Sequence, residues 1–109
     1  MSSLHYDTCR PILPGTKPLE RREAIRLAIE ADGWIVAPDT AAISRQFHFE
    51  LFSEALAFVN EVGKIALAQK HIPEMEIIGY DVDVKLTTPE VGGLSMNDFI
   101  VAARISKMP

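Results

Sequence analysis

The segment from residue 50 to residue 70 constrains the fold most, because its apolar side chains recur at helical spacing. Its main stripe consists of Phe52, Ala55, Leu56, Val59, Val62, Gly63 and Ala66, and the stripe is widened by Leu51, Phe58 and Ile65. This apolar arc covers about 200°, roughly twice what one side of a surface helix needs. We expect one side to pack on a sheet and the other to meet a second subunit. The pattern thus predicts a homodimer or larger oligomer, with Leu51, Phe58 or Ile65 near the added interface.

A second periodicity follows, in which apolar side chains occupy every other position. Ile78, Tyr80, Val82, Val84 and Leu86 share one face of this run. Such alternation predicts a half-buried antiparallel strand, and Gly79 marks a bend or bulge between two strands.

The remaining elements complete an alternation of helices and strand pairs. Strands are predicted at residues 34–37 and 41–49, and a first helix at residues 16–31. Ser95 and Asp98 have the spacing of a capping box at the start of a last helix. The order helix-strand-strand-helix-strand-strand-helix predicts an α+β fold, with an antiparallel four-stranded sheet and three helices packed on one face.

The length of 109 residues predicts a single domain, with an extended leader at residues 1–16 and the folded unit at residues 17–109. Prolines and a glycine interrupt any periodic pattern in the leader. Two interpretations stay open for it. It is either a mobile tail or an arm that docks on a neighbour through Tyr6, Ile12 and Leu13.

The charge balance excludes several classes of partner. The net charge is -4, with 15 acidic and 11 basic residues, which argues against binding to nucleic acid or to an anionic membrane. No apolar run is long enough to span a bilayer, and the single Cys9 allows no internal disulfide. Neither a Gly-rich phosphate loop nor a Cys/His cluster is present, so no cofactor and no metal are predicted. We expect a cytoplasmic protein.

His71 is the best candidate for a chemical site, although it has a structural alternative. It lies at a predicted helix end, where a cation is favourable near the helix dipole. Asp98 is either a capping residue or a partner of that histidine. Asp81, Asp83 and Lys85 lie on an exposed strand face and are candidates for partner binding, although a solvated edge would have the same pattern.

Several local strings together resemble a known family. Gly33-Trp34 opens the first strand, and Arg45-Gln46-Phe47-His48-Phe49 leads into the long helix. The run Lys70-His71-Ile72-Pro73-Glu74 is followed by the run from Thr88 to Asp98. These last two runs are similar to the His-His-Pro motif and the Thr-His-Asp segment, with its following Gly-Gly-Leu-Thr, of the pterin-4a-carbinolamine dehydratases. The resemblance covers about residues 16–107.

The chain departs from that family at two positions that the resemblance identifies as catalytic histidines. They are occupied by Ile72 and Pro89, whose side chains cannot transfer protons. The resemblance therefore implies a degenerate dehydratase site and a protein that is not an enzyme. The vestigial pterin pocket is expected to comprise His71, Ile72, Pro73, Pro89 and Asp98.

These departures make the chain similar to a non-catalytic branch of the family that assists RuBisCO assembly in the α-carboxysome system. The resemblance implies a chaperone-like assembly factor that binds the RuBisCO large subunit in the cytoplasm or at the carboxysome. Two alternatives stay open. One is a weak or altered pterin-4a-carbinolamine dehydratase, and the other is a protein-binding dimerisation cofactor.

Overall fold

A computed structural model describes residues 3–108. Within this range the chain forms α1 (Arg21–Glu30), β1 (Ile35–Val36), β2 (Ile43–His48), α2 (Phe52–Gln69), β3 (Glu74–Ile78), β4 (Asp81–Leu86) and α3 (Met96–Ser106). Single turns of 3-10 helix lie at Leu4–Tyr6 and Pro89–Val91. Three α-helices and one antiparallel four-stranded sheet confirm the predicted α+β fold.

The sheet has the strand order β1-β2-β4-β3 and divides the side chains between two faces. Its inner face contributes fully buried side chains to the core, namely Ile43, Val82, Val84 and Leu86. The other side, which we call the open face, consists of Ser44, Gln46, His48, Glu74, Glu76, Ile78, Asp81, Asp83 and Lys85. Alternation along each strand thus separates an apolar layer from a charged one.

The turn between β3 and β4 changes one part of the predicted pattern. Gly79 and Tyr80 form a two-residue turn, with Gly79 at φ 61°, and Ile78 pairs with Asp81. Because cross-strand partners share a face, Ile78 lies on the open face and not with Val82 as uninterrupted alternation predicted. Ile78 and Tyr80 are each 54% exposed.

Helix α2 packs on the sheet through part of its predicted main apolar stripe. Ala55, Val62 and Ala66 are buried in the core. Phe58 and Ile65 are half-buried and also pack against it, and the Phe58 ring lies 4.5 Å from the Phe47 ring, centroid to centroid. These two residues therefore contribute to the packing of the core, and their expected place near a subunit interface stays a prediction.

Several large side chains of this helix region remain exposed. They are Leu51, Phe52, Leu56 and Leu67, of which Leu51 is 58% and Leu67 is 75% exposed. These exposed apolar side chains agree with the expectation that another subunit covers a second side of α2. Of the residues expected near that interface, the exposed set includes only Leu51. The oligomer itself stays a prediction.

Two of the sequence segments that resemble the family, Gly33-Trp34 and the one that begins at Arg45, meet at the C-terminal end of α3, away from His71. The Trp34 indole N–H donates to Ser106 Oγ at 2.9 Å. Arg45 donates to the same oxygen at 3.1 Å and to the Asp32 carbonyl at 2.6 Å. These residues therefore join β1 and β2 to the third helix, which makes them structural.

The described part of the leader, residues 3–16, packs against the folded unit. Leu4 is 6% exposed and belongs to the hydrophobic core, and Arg104 of α3 donates two hydrogen bonds to the Asp7 carbonyl. In the described part of the leader, Leu4–Tyr6 form a turn of 3-10 helix, and the segment is docked on the folded unit. Tyr6 and Leu13 remain 78% and 71% exposed, so their contact with a neighbour stays a prediction.

No helix among residues 3–108 combines the length and the apolar character that a membrane crossing requires.

Candidate functional site

His71 is positioned by the way α2 ends. The helix stops at Gln69, and Lys70 adopts the left-handed conformation with φ 57°. His71 N–H then donates back to the Ala66 carbonyl at 3.2 Å, which satisfies one of the last carbonyls of the helix. This turn directs the chain toward the start of α3. The adjacent Pro73 is buried and prevents the helix from continuing.

The start of α3 brings Asp98 to His71. Asp98 occupies the third position of the helix, and its Oδ2 accepts the Ser95 N–H at 3.0 Å, as in a capping box. The other oxygen, Oδ1, lies 2.6 Å from His71 Nε2. The Asp98 side chain is completely buried, and that of His71 is 11% exposed. The capping residue is therefore also the partner of the histidine.

Thr88 completes the buried network. Its hydroxyl donates to Asp98 Oδ2 at 2.7 Å, and Ser95 Oγ lies 2.7 Å from Thr88 Oγ1. Because the Thr88 proton points to the carboxylate, the Ser95 hydroxyl is the donor of the second bond. Asp98 thus receives hydrogen bonds from Thr88 and Ser95 together with the histidine. Sequence reasoning missed Thr88, whose role depends on a bridge between residues 88 and 93 that places it beside the α3 N-terminus.

The network determines which imidazole nitrogen is available for chemistry. Because Asp98 accepts hydrogen bonds from Thr88 and Ser95, we assign His71 Nε2 as the donor to Oδ1. In the neutral imidazole, the lone pair then lies on Nδ1. No described residue among 3–108 has a hydrogen bond to Nδ1 in this structure. A histidine that is oriented by a buried carboxylate is the usual arrangement for general acid–base catalysis.

The two positions that lack histidine flank this pair in the sequence. Ile72 follows His71 directly and is 69% exposed, and Pro89 follows Thr88 directly and is exposed at the start of a 3-10 turn. The predicted pocket residues thus fall into two groups. His71, Pro73 and Asp98 lie largely inside the protein, whereas Ile72 and Pro89 are exposed. Neither Ile72 nor Pro89 has a side chain that can transfer a proton, whereas the imidazole of His71 can.

A second histidine–carboxylate pair lies on the open face. His48 Nδ1 is 2.6 Å from Asp81 Oδ1, but the His48 side chain is 64% exposed. The hydrogen bond to Asp81 raises the pKa of His48 above its ordinary value. Burial opposes this shift, and the charges of Asp81 and Glu50 add to it. Solvent weakens such a pair, so it does not form an active site comparable to the buried one.

The other candidates for partner binding also lie on the open face. Asp83 accepts a hydrogen bond from Gln46 Nε2 at 2.9 Å, and Lys85 is exposed between Ser44 and Glu74 in the cross-strand register. These side chains are available to a partner, although none of them contacts His71. Within residues 3–108, no group of three or more His, Cys, Asp or Glu side chains could hold a metal ion.

The chain is similar in sequence to one protein family over most of its length. The family model for pterin 4 alpha carbinolamine dehydratase matches residues 17–108. A protein of Cupriavidus pinatubonensis named "Putative pterin-4-alpha-carbinolamine dehydratase 1" is 40% identical over 105 residues, which cover 96% of this chain and 90% of that protein. A Halorhodospira halophila protein named "Putative pterin-4-alpha-carbinolamine dehydratase" is 36% identical over 107 residues, 97% of each chain.

A solved structure has the same fold. The transcriptional coactivator/pterin dehydratase from Brucella melitensis aligns with a TM-score of 0.76 at 29% identity, over 82% of this chain and 95% of that one.

These comparisons correct one prediction. The substitutions Ile72 and Pro89 led us to expect a protein that is not an enzyme, and the enzyme names of full-length relatives overturn that expectation. The physical reason for the error is that proton-transfer capacity was judged by counting histidines. A single histidine can act both as a base and as an acid when a carboxylate holds it in place.

Proposed function

The chain belongs to the pterin 4 alpha carbinolamine dehydratase family, and from this premise we propose that it dehydrates a 4a-hydroxypterin carbinolamine, with His71 as the proton-transfer group. The observation that carries the proposal is the 2.6 Å contact between His71 Nε2 and the buried Asp98 carboxylate. The names of the relatives and of the Brucella melitensis structure support the reaction class.

The reaction needs two proton transfers, one to the leaving hydroxyl and one away from a ring nitrogen. A single imidazole can perform both in sequence. His71 Nδ1 takes the proton from the ring nitrogen and delivers it to the hydroxyl, so that water leaves and the imidazole returns to its starting form. Asp98 stabilises the intermediate imidazolium and keeps Nε2 protonated throughout.

The test is the rate of carbinolamine loss with and without the protein, followed by absorbance. Replacement of His71 by Ala should lower kcat/KM by about 10²-fold, the usual contribution of a positioned acid or base. His48→Ala is the matched control, because that histidine has a carboxylate partner at the same 2.6 Å distance but lies exposed on the open face. An acceleration that is equally strong in the His71 variant would contradict the assignment.

A protein-binding function is a second candidate, which the charge of the open face supports. Four acidic side chains and one lysine lie there on the paired strands β3 and β4, namely Glu74, Glu76, Asp81, Asp83 and Lys85. Such a surface suits a basic partner patch. The partner that the sequence resemblance suggests is the RuBisCO large subunit. The name of the Brucella melitensis protein includes the words transcriptional coactivator as well as pterin dehydratase.

Co-expression tests this second function. RuBisCO subunits are expressed with the unaltered chain or with the variant Asp81→Lys/Asp83→Lys, and soluble holoenzyme is measured. A higher yield with the unaltered chain only is expected. An equal yield in both cases, with no capture of the large subunit, would remove RuBisCO as the partner. His71→Ala separates the two functions, since it should leave the yield unchanged.

A further inference from the structure

The leader is hydrogen-bonded to the two helix ends that carry the His71–Asp98 pair. Cys9 N–H donates to Gln69 Oε1 at 2.8 Å, although the two residues are 60 positions apart. Arg10 N–H donates to Asn97 Oδ1 at 3.0 Å, and Asn97 Nδ2 donates back to the Arg10 carbonyl at 2.8 Å. The leader is thus bound to α2 and to α3 by two consecutive residues.

We call Gln69 and Asn97 the anchor residues, and both lie close in the sequence to the His71–Asp98 pair. Gln69 is the last residue of α2, and only Lys70 separates it from His71. Asn97 lies directly before Asp98 in the first turn of α3 and is 9% exposed. Any change in the spacing of these helix ends therefore alters the distance between the imidazole and the carboxylate.

We propose that Leu4–Arg10, which we call the strap, holds the ends of α2 and α3 in register, so that Gln69 and Asn97 act as positioning residues for the His71–Asp98 pair. Neither residue is hydrogen-bonded to the imidazole itself, so their effect is indirect. The consequence for catalysis rests on the proposed dehydratase function. The geometric claim concerns the pair alone and can be tested without turnover.

Three further contacts make the strap stiff enough for this role. Its far end is fixed because Leu4 is buried in the core and Asp7 is bound by Arg104. At its near end, Cys9 Sγ lies 3.6 Å from the Asn97 carbonyl. Asn97 therefore has its amide oxygen, its amide nitrogen and its main-chain carbonyl all engaged by the strap. A side chain bound at that many points has one orientation, which it transmits to the neighbouring Asp98.

The experiment measures how fast the His71 Nε2 proton exchanges with water, by NMR of the full chain with labelled histidine. Asn97→Ala and Gln69→Leu remove the hydrogen bonds to the strap, and each should raise the exchange rate by up to about tenfold, the factor that corresponds to the net contribution of one hydrogen bond. Gln69→Glu retains an oxygen acceptor for the Cys9 N–H and should restore slow exchange. Asn60→Ala, an exposed asparagine of α2, is the control for Asn97→Ala.

Turnover provides the second readout. If the unaltered chain dehydrates the carbinolamine, the anchor variants should lower kcat by about tenfold with KM unchanged, because the strap orients the histidine and does not bind substrate. If the unaltered chain shows no turnover, the dehydratase proposal fails. The exchange rates of the His71 Nε2 proton then still test whether the strap positions the His71–Asp98 pair. Folded anchor variants with unchanged exchange would overturn the strap proposal. If Asn97→Ala does not fold, the comparison of Gln69→Leu with Gln69→Glu gives the same decision.

Discussion

His71 Nε2 and Asp98 Oδ1 lie 2.6 Å apart, although 27 positions separate the two residues in the chain. The contact exists because α2 ends with a left-handed residue at Lys70 while α3 begins with a capping box at Ser95. A left-handed C-cap and a capping box, both common at helix ends, thus direct an imidazole and a carboxylate toward each other. The same carboxylate serves the helix and the histidine, so stability and chemistry are coupled at one residue.

Loss of the Asp98 carboxylate should destabilise the protein strongly. Asp98→Ala leaves the Thr88 hydroxyl, the Ser95 N–H and His71 without their common acceptor inside the protein. We expect a loss of about 3 kcal/mol in the free energy of unfolding, because several buried donors lose their partner together. Urea denaturation measures it. Thr88→Val removes one donor and should cost about 1 kcal/mol. Equal losses in the two variants would contradict the shared network.

The sequence predicts the framework of this fold well, because its periodicities are strong. The long apolar helix and the capping box at Ser95 and Asp98 were both correctly anticipated. The placement of Ile78 was wrong, because a two-residue turn reverses which side chains share a face. Phe58, a candidate for the subunit interface, contacts the rings of Phe47 and Phe49 within one protomer, and the periodicity alone did not predict these contacts. An apolar arc identifies the side chains that can be buried, and tertiary packing decides which of them are.

The candidate site was harder to predict than the fold. His71 and Asp98 were both candidates, but their contact depends on how α2 and α3 cross over the sheet. The hydrogen bonds between the strap and Asn97 join residues 87 positions apart and follow no periodic pattern. Hydrogen bonds of this kind have no sequence signature, because any backbone amide can be a partner of an asparagine side chain.

The thiol of Cys9 should react slowly. Burial raises the pKa of Cys9 to about 11, an effect that the charge of Arg104 opposes only in part. Because the thiolate is the reactive form, its reaction with a disulfide reagent at pH 8 should be about 10²-fold slower than that of a free thiol. The same protein in denaturant is the control and should react at the free rate. Asn97→Ala should accelerate the reaction of the folded protein if the strap opens, and rapid reaction of the unaltered chain would contradict the docked leader.

The His48–Asp81 pair should contribute a pH-dependent increment of stability. The pKa of His48 is raised in the folded state, so the stabilisation is fully present below the ordinary histidine pKa of about 6.5. It is lost as the pH rises through the higher folded-state value. Asp81→Asn should therefore lower Tm slightly at pH 5.5 and not at pH 8.5. The effect is small because the imidazole is largely exposed. A difference that grows toward alkaline pH would have the wrong sign.

The exposed apolar line of α2 leads to a prediction about association, which we propose on the basis of Phe52, Leu56 and Leu67. Light scattering at micromolar concentration should show a mass above 12.1 kDa. Leu56→Glu combined with Leu67→Glu should reduce the mass to that of one chain, because charged side chains resist burial in an interface. Ile29→Glu, on the exposed side of α1, is the control. A single-chain mass for the unaltered protein would show that these side chains remain in water.

Histidines introduced at residues 72 and 89 should increase dehydratase activity. These positions lie next to His71 and Thr88, and the present Ile72 and Pro89 are both exposed and cannot transfer protons. With Ile72→His and Pro89→His together, one group can protonate the leaving hydroxyl while another accepts the ring proton. We expect kcat/KM to rise by about 10²-fold, the contribution of one additional positioned acid or base. Stability should change little, because neither side chain contributes to the core. Ile78→His adds a histidine on the open face and should have no effect on the rate. If the double variant is no faster than this control, proton transfer at His71 does not limit the reaction, and substrate binding or product release must do so.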